Sequence, residues 1–125
     1  MRFRTVSALV LTALAATVTT ASAQGTRQYI NGRSASQPNA LPFSGAVLVG
    51  NTLYLSGVLG GPATATAEEA ARAALDSMKG TLEAAGMTMD DLVSVQVFTA
   101  DLADYAGFNT AYRSYFTGEF PARAF

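Results

Sequence analysis

The sequence contains no cysteine and no histidine, and its only lysine is Lys79. Without cysteine the chain can form neither a disulfide nor a thiol nucleophile, and without histidine it lacks the commonest general base and the usual zinc ligands. Acidic side chains outnumber basic ones, nine to eight, which gives a net charge of −1. Because polyanions are bound mainly by clusters of lysine and arginine, we expect no nucleic-acid partner.

The first 23 residues have the pattern of a secretory signal peptide. Arg2 and Arg4 form a positively charged start, residues 6–18 an apolar stretch, and Ala21-Ser22-Ala23 a cleavage site before Gln24. The apolar stretch is shorter than the roughly 18 residues that a membrane span needs. We therefore predict a periplasmic or secreted protein with no membrane anchor, and its net charge after cleavage is −3.

The remaining chain has room for one small domain. Half of the 125 residues are apolar, which is enough for a single core but not for two. Residues 24–41 are polar and contain glycine and proline, so we interpret them as a lead-in segment with one extended stretch around Tyr29. The domain itself is predicted to cover 42–125.

The first structural signal in this domain is a β-hairpin. Short apolar runs at 46–49 and 52–56 flank Gly50-Asn51, a residue pair that suits a tight turn with positive φ. A helix should follow, because Thr66 and Glu69 form a capping box and Gly86 can end the helix in a left-handed conformation.

The sequence then predicts a strand, a second helix and the start of another strand. Valines alternate with other residues over 92–99, which is typical of a strand, and Asp101 suits the N-terminus of a helix that ends at Thr117-Gly118. Residues 122–125 are predicted to begin the next strand. The second helix is expected to turn an apolar stripe toward the core, formed by Leu102, Tyr105, Phe108, Tyr112 and Phe116. The order of elements predicts an α+β fold with both helices on one face of a sheet.

Two side chains near the end of the chain are candidates for binding a small carboxylate. Arg123 follows Pro121 closely, and its planar guanidinium matches both oxygens of a carboxylate. Asn109 lies on the predicted second helix and supplies an amide. Asp90 and Asp91 form the other polar pair, but adjacent carboxylates at a turn are usually solvated, so we predict no metal site.

Several short motifs together resemble the reactive intermediate deaminase (RidA, YjgF-like) family. They follow the pattern of that family in order and spacing between about residues 29 and 125: Pro42-Phe43-Ser44, Gly50-Asn51-x-Leu53-Tyr54-x-Ser56-Gly57, Ala85-Gly86, Asp91-Leu92-Val93, Val97-Phe98, Phe108-Asn109-x-x-Tyr112 and Phe120-Pro121-Ala122-Arg123. The resemblance implies a mixed β-sheet with two helices packed on one face, as in chorismate-mutase-like folds, and a homotrimer with active sites in clefts between subunits.

The resemblance also implies a reaction and its residues. The expected activity is hydrolysis of 2-aminoacrylate and 2-iminopropanoate to 2-keto acids and ammonia, without a cofactor. By analogy Arg123 is the catalytic residue that clamps the substrate carboxylate, Ser56 and Asn109 line the pocket, and the backbone of Gly57 approaches the ligand. Phe43 takes the place of a pocket tyrosine.

Other departures from the family pattern leave alternatives open. Val58 replaces a glutamine, Phe125 replaces a cysteine, and the family's C-terminal strand with its water-orienting glutamate is not in the sequence, so we expect a C-terminally incomplete domain. The alternative functions are a non-catalytic trimeric protein that binds small carboxylates and a fragment that does not fold. For Arg123 the alternatives are an ion pair with Glu119 and a place in a subunit interface.

Overall fold

The computed structural model describes residues 25–34 and 36–125. The predicted signal peptide at 1–23 lies outside these residues. Five strands and two α-helices follow in the order β1 (Arg27–Ile30), β2 (Ala46–Val49), β3 (Thr52–Leu55), α1 (Ala67–Ala84), β4 (Ser94–Gln96), α2 (Tyr105–Arg113) and β5 (Ala122–Ala124), with 3₁₀ turns at Met89–Asp91 and Leu102–Asp104. The predicted α+β class is confirmed. Within the described ranges, no helix is long and apolar enough to cross a membrane.

The predicted hairpin is present as β2 and β3. Val49 pairs with Thr52, so only two residues form the turn, and Gly50 takes a positive φ of 61°. Glycine tolerates this conformation because it has no Cβ. The extended stretch around Tyr29 is also confirmed, because it forms β1 and pairs antiparallel with β2. This strand lies in the segment predicted as a lead-in.

Helix α1 begins and ends as its sequence predicts. The Thr66 hydroxyl accepts a hydrogen bond from the Glu69 amide at 3.3 Å, and the Glu69 carboxylate accepts one from the Thr66 amide at 2.8 Å. At the other end Gly86 has a φ of 75°, and the amide of Met87 donates to the carbonyl of Leu82 at 2.9 Å. This pattern is the Schellman motif, which satisfies carbonyls that the helix leaves open.

The second half of the fold is a β-α-β unit. Strands β4 and β5 pair in parallel, with Val95 opposite Arg123, and α2 connects them. Strand β4 covers only 94–96 of the predicted 92–99. The mixture of parallel and antiparallel pairing is present, but the strands are arranged as an antiparallel sheet of three and a parallel pair.

The predicted end of α2 at Thr117-Gly118 is wrong, because the helix ends at Arg113. The amides of Thr117 and Gly118 donate instead to the Asp90 carboxylate, at 3.0 and 3.4 Å, and the Thr117 hydroxyl bonds the same carboxylate. These bonds lower the pKa of Asp90, and the hydroxyl makes the largest contribution. A distant side chain therefore holds these two residues outside the helix.

The two adjacent carboxylates are exposed to solvent, as the sequence predicts, and both also accept hydrogen bonds. Besides the contacts of Asp90, the Asp91 carboxylate accepts hydrogen bonds from the Thr88 amide at 2.7 Å and from the Thr88 hydroxyl at 3.0 Å. Asp91 thus caps the 3₁₀ turn after α1, and Asp90 joins that turn to Thr117 and Gly118.

The core lies where α1 and α2 pack together with β4. Its buried members are Ala71, Leu75, Leu82, Met89, Val95, Ala111 and Tyr112. The helices approach closely at Gly107, where an added Cβ would lie 3.0 Å from the Ala67 Cβ. The predicted stripe on α2 is only partly correct, since Leu102 is 76% and Tyr105 47% exposed. Leu102 lies in the 3₁₀ turn before the helix, where 3.0 rather than 3.6 residues make a turn, so it is out of phase with the stripe on α2.

Candidate functional site

Arg123 is surrounded by aromatic rings. It is the central residue of β5 and is half-buried, and its guanidinium carbon lies 4.7 Å from the ring centroid of Tyr112, 5.5 Å from that of Phe108, and 5.8 Å from those of Tyr105 and Phe125. All four distances fall within the range of cation–π contacts. We refer to Tyr105, Phe108, Tyr112 and Phe125 as the aromatic cage.

Simple periodicity brings the cage together. Tyr105, Phe108 and Tyr112 are spaced by three and four residues on α2, so they share one face of the helix. Arg123 and Phe125 are two residues apart in extended chain and point to the same side. The Phe125 ring packs edge-on against Tyr105 and Phe108, with centroid distances of 5.0 and 5.4 Å. The parallel pairing of β5 with β4 places both side chains against α2.

No acid neutralises Arg123 in the part of the chain that the structure describes. The ion pairs found there are Arg72–Glu68 and Lys79–Glu83, and no hydrogen bond involves the Arg123 side chain. The alternative ion pair between Arg123 and Glu119 is therefore not formed. Because the rings contact the guanidinium without accepting its N–H bonds, those donors stay available to an anion.

Tyr112 combines a buried ring with an unsatisfied hydroxyl. The residue is 3% exposed, and its hydroxyl has no hydrogen-bond partner among residues 25–34 and 36–125. Burial raises the pKa of Tyr112, while the nearby charge of Arg123 acts in the opposite direction. The phenol is neutral at physiological pH.

The predicted pocket residue Asn109 lies on α2, the helix that carries three of the cage rings. It follows Phe108 on α2 and is half-buried, and its amide forms no hydrogen bond with any described residue. Such an amide can both donate to and accept from a ligand.

The other predicted pocket residues form a second group. The hydroxyl of Ser56, just after β3, donates to the carbonyl of Ser44 at 2.6 Å, which ties it to the loop that carries Phe43. Gly57 is exposed, and an added Cβ there would meet no atom within 4 Å. Phe43 is 53% exposed and helps to line an open hollow formed by residues 33, 34, 37 and 40–44. The Ser56 hydroxyl therefore uses its proton to stabilise the loop around Ser44.

Within one chain the two groups belong to different sheets: Ser56 follows β3 of the three-stranded sheet, and Arg123 lies in the parallel β4–β5 pair. Neither Arg123 nor Asn109 lines the hollow beside Phe43, and no described hydrogen bond joins the groups. In the same residue ranges, no cluster of three acidic side chains could hold a metal ion.

Comparison with known proteins identifies the family. The model of a family described as Endoribonuclease L-PSP matches residues 34–125. A 2-iminobutanoate/2-iminopropanoate deaminase from Bos taurus is 41% identical over 99 residues, which are 73% of this chain and 72% of the relative. The crystal structure of RidA from an Antarctic Psychrobacter matches with a TM-score of 0.63 at 31% identity, over 81% of this chain and 83% of that one. The chain belongs to the RidA family.

Other RidA relatives give the same result. A 2-iminobutanoate/2-iminopropanoate deaminase from Dermatophagoides farinae is 37% identical over 89 residues, 66% of this chain and 70% of the relative. A Rid-family protein from Yersinia pestis matches with a TM-score of 0.65 at 28% identity, over 78% of this chain and 82% of that one. The resemblance drawn from the sequence motifs is confirmed.

The cage is the feature of this RidA chain that the sequence reasoning missed. The sequence pattern predicts its helical residues as core packing and marks Phe125 only as a departure from the family pattern. The signal was nevertheless present, since three aromatic residues share one face of α2 and Arg123 and Phe125 share one face of a strand. Only their combination across the two elements predicts a cage.

Proposed function

We propose that this RidA-family chain hydrolyses small 2-imino acids, such as 2-iminopropanoate, and their enamine tautomers to 2-keto acids and ammonia. The observation that carries the proposal is Arg123, a half-buried guanidinium with no acidic partner in the described residues. The names of the curated deaminases, which are 37–41% identical, support this choice of reaction. Cleavage of RNA has no comparable support, because the chain has one lysine and more acidic than basic side chains.

The chemistry asks little of the protein. The oxygen of water adds to the electrophilic imine carbon, the carbon–nitrogen bond breaks, and ammonia leaves with the protons released by the water. Arg123 would bind the substrate carboxylate through two parallel N–H bonds, with the Asn109 amide and the Gly57 backbone beside the ligand. Fixing the substrate next to one water lowers the barrier by proximity, so the reaction requires no cofactor.

We further propose that three chains assemble and that each site forms between two subunits. The separation of the Arg123 group from the Ser56 and Phe43 group supports this arrangement, since a neighbour can bring one group to the other. Large exposed apolar side chains support it as well: Tyr29 and Tyr54 lie opposite Val47 on one face of the antiparallel sheet and are 58% and 63% exposed. Light scattering after size exclusion should give three times the chain mass, and a monomer would contradict the assembly.

The decisive assay measures ammonia from 2-iminopropanoate, which an amino acid oxidase can generate from alanine in the same cuvette. The wild-type chain should release ammonia faster than buffer alone, and Arg123→Ala should abolish the difference. Arg123→Lys keeps the charge but loses the planar pair of donors, so it should restore only part of the rate. Arg113→Ala is the matched control, since Arg113 is exposed at the end of α2 and outside the cage.

The outcomes separate the candidate functions. A wild-type rate equal to that of buffer would exclude the deaminase. Calorimetric binding of 2-ketobutyrate without turnover would then indicate a carboxylate-binding protein. Equal effects of the Arg123 and Arg113 substitutions would instead refute the assignment of Arg123.

We also propose that the protein is exported and processed before Gln24. The support is the sequence of the first 23 residues, with two arginines, an apolar stretch and Ala21-Ser22-Ala23. Cell fractionation of a bacterial host and sequencing of the mature N-terminus would test this. Retention of the chain in the cytoplasm with its first residues intact would contradict the proposal.

A further inference from the structure

The packed aromatic rings near Arg123 form two groups, those that contact its guanidinium and those that do not. The cage rings of Tyr105, Phe108, Tyr112 and Phe125 all lie within 5.8 Å of the Arg123 guanidinium. Two more rings continue the cluster without such a contact. Phe116 packs on Tyr112 with a centroid distance of 4.8 Å, and Phe120 packs on Phe116 at 5.6 Å. Contact with Arg123 is therefore specific to one part of the cluster.

A ring holds an arginine differently from a carboxylate. A carboxylate accepts the N–H bonds of the guanidinium and would have to be displaced before another anion could bind there. An aromatic face attracts the cation through the ring quadrupole and accepts none of those N–H bonds in the guanidinium plane. The four rings can thus limit the rotamers of a long side chain and leave its donors open.

We propose that the aromatic cage acts as a set of positioning residues that holds Arg123 preorganised for the carboxylate of the substrate. This inference rests on the proposed function for the identity of the ligand. Tyr112 is the principal member because its ring is the nearest, at 4.7 Å, and because its burial fixes its own position. The cage raises the affinity for substrate by reducing the rotamer freedom that Arg123 loses on binding.

The hydroxyl of Tyr112 takes no part in this role. Its oxygen is buried and has no partner in the described part of the chain, so it neither anchors the ring nor reaches a ligand at the surface. The positioning therefore belongs to the ring face. Removing the ring of Tyr112 should therefore weaken ligand binding, whereas removing only its hydroxyl should not.

The test compares Phe108→Leu with Phe116→Leu. Both residues are half-buried aromatics packed on Tyr112, and only Phe108 contacts the guanidinium. Phe108→Leu should weaken 2-ketobutyrate binding about tenfold, which corresponds to about 1.4 kcal/mol. Because Arg123 binds the carboxylate before and during the reaction, the loss should raise KM and leave kcat unchanged. Phe116→Leu should leave KM unchanged.

Substitutions at Tyr112 test the ring against the hydroxyl. Tyr112→Leu should weaken binding at least as much as Phe108→Leu, and Tyr112→Phe should restore the affinity. Failure of Tyr112→Phe to do so would show that the hydroxyl is used and would overturn the inference. Equal KM values for Phe108→Leu and Phe116→Leu would overturn it as well.

Nuclear magnetic resonance provides a measurement that does not depend on activity. In the wild-type protein without ligand, the Arg123 Nε–Hε bond should be more ordered than that of exposed Arg27, and Phe108→Leu should reduce this order. An Arg123 side chain as mobile as that of Arg27 would refute positioning by the cage, even if the protein is an active deaminase. Conversely, an ordered Arg123 in a protein without turnover or 2-ketobutyrate binding would refute the proposed function and leave the cage intact.

Discussion

Replacing two helical glycines by alanine separates helix propensity from packing between the helices. Gly80 lies in α1, and an added Cβ there would meet no atom within 4 Å. Gly107 lies in α2, and its added Cβ would lie 3.0 Å from the Ala67 Cβ and 3.4 Å from the Glu68 amide nitrogen. In both variants the free energy of unfolding should rise by about 0.5–1 kcal/mol from helix propensity, because alanine loses less backbone entropy on folding than glycine. Gly107→Ala must also separate the two helices, at a cost of about 1–3 kcal/mol.

We therefore expect Gly80→Ala to raise the free energy of unfolding and Gly107→Ala to lower it. The difference between the variants should be about 1–3 kcal/mol, since the propensity gain is common to both. Urea denaturation followed by circular dichroism measures it, at one protein concentration so that any assembly affects both equally. If Gly107→Ala proves as stabilising as Gly80→Ala, the close approach of α1 and α2 does not limit their packing, and the reasoning fails.

Three further substitutions test the capping, the pH dependence and the core. Thr66→Ala removes the N-cap of α1 and should cost about 1 kcal/mol of stability, measured by urea denaturation; no change would mean that the capping box is dispensable. The pKa of Asp90 in the folded protein lies below its ordinary value of 3.8. Asp90 therefore stabilises the fold at pH values above 3.8, and this stabilisation is lost as the pH falls through the folded-state pKa. Melting temperatures should thus fall on acidification in the wild type and less steeply in Asp90→Asn, and parallel curves would contradict this. Leu82 is 1% exposed, so Leu82→Ala should lower the unfolding free energy by about 2–5 kcal/mol. A loss below about 1 kcal/mol would show that the core relaxes to fill the cavity.

The sequence predicted the features that depend on neighbouring residues. The capping box from Thr66 to Glu69 spans four residues, and the turn at Gly50 spans two, so both leave a complete local pattern. Gly86 likewise ends α1 through bonds within a single turn of chain. Such signals can be interpreted without knowing the fold.

The features that sequence reasoning missed depend on residues far apart in the chain. The end of α2 was misplaced because Asp90 takes the amides of Thr117 and Gly118, and no local pattern reveals that contact. The sequence singled out Arg123 because its planar guanidinium, close after Pro121, can match both oxygens of a carboxylate. Its cage could not be foreseen from either element alone, since it forms only when β5 lies against α2.

The contacts of Asp90 also affect how the protein exchanges its amide hydrogens. Thr117 and Gly118 are exposed and belong to no helix or strand, so their amides would ordinarily exchange with deuterium at once. Each donates to the Asp90 carboxylate, however, and can exchange only when that contact opens. Because the same carboxylate belongs to the turn after α1, opening of the turn and of the loop becomes a single event. The two segments then form one local unfolding unit, although 27 residues separate Asp90 from Thr117.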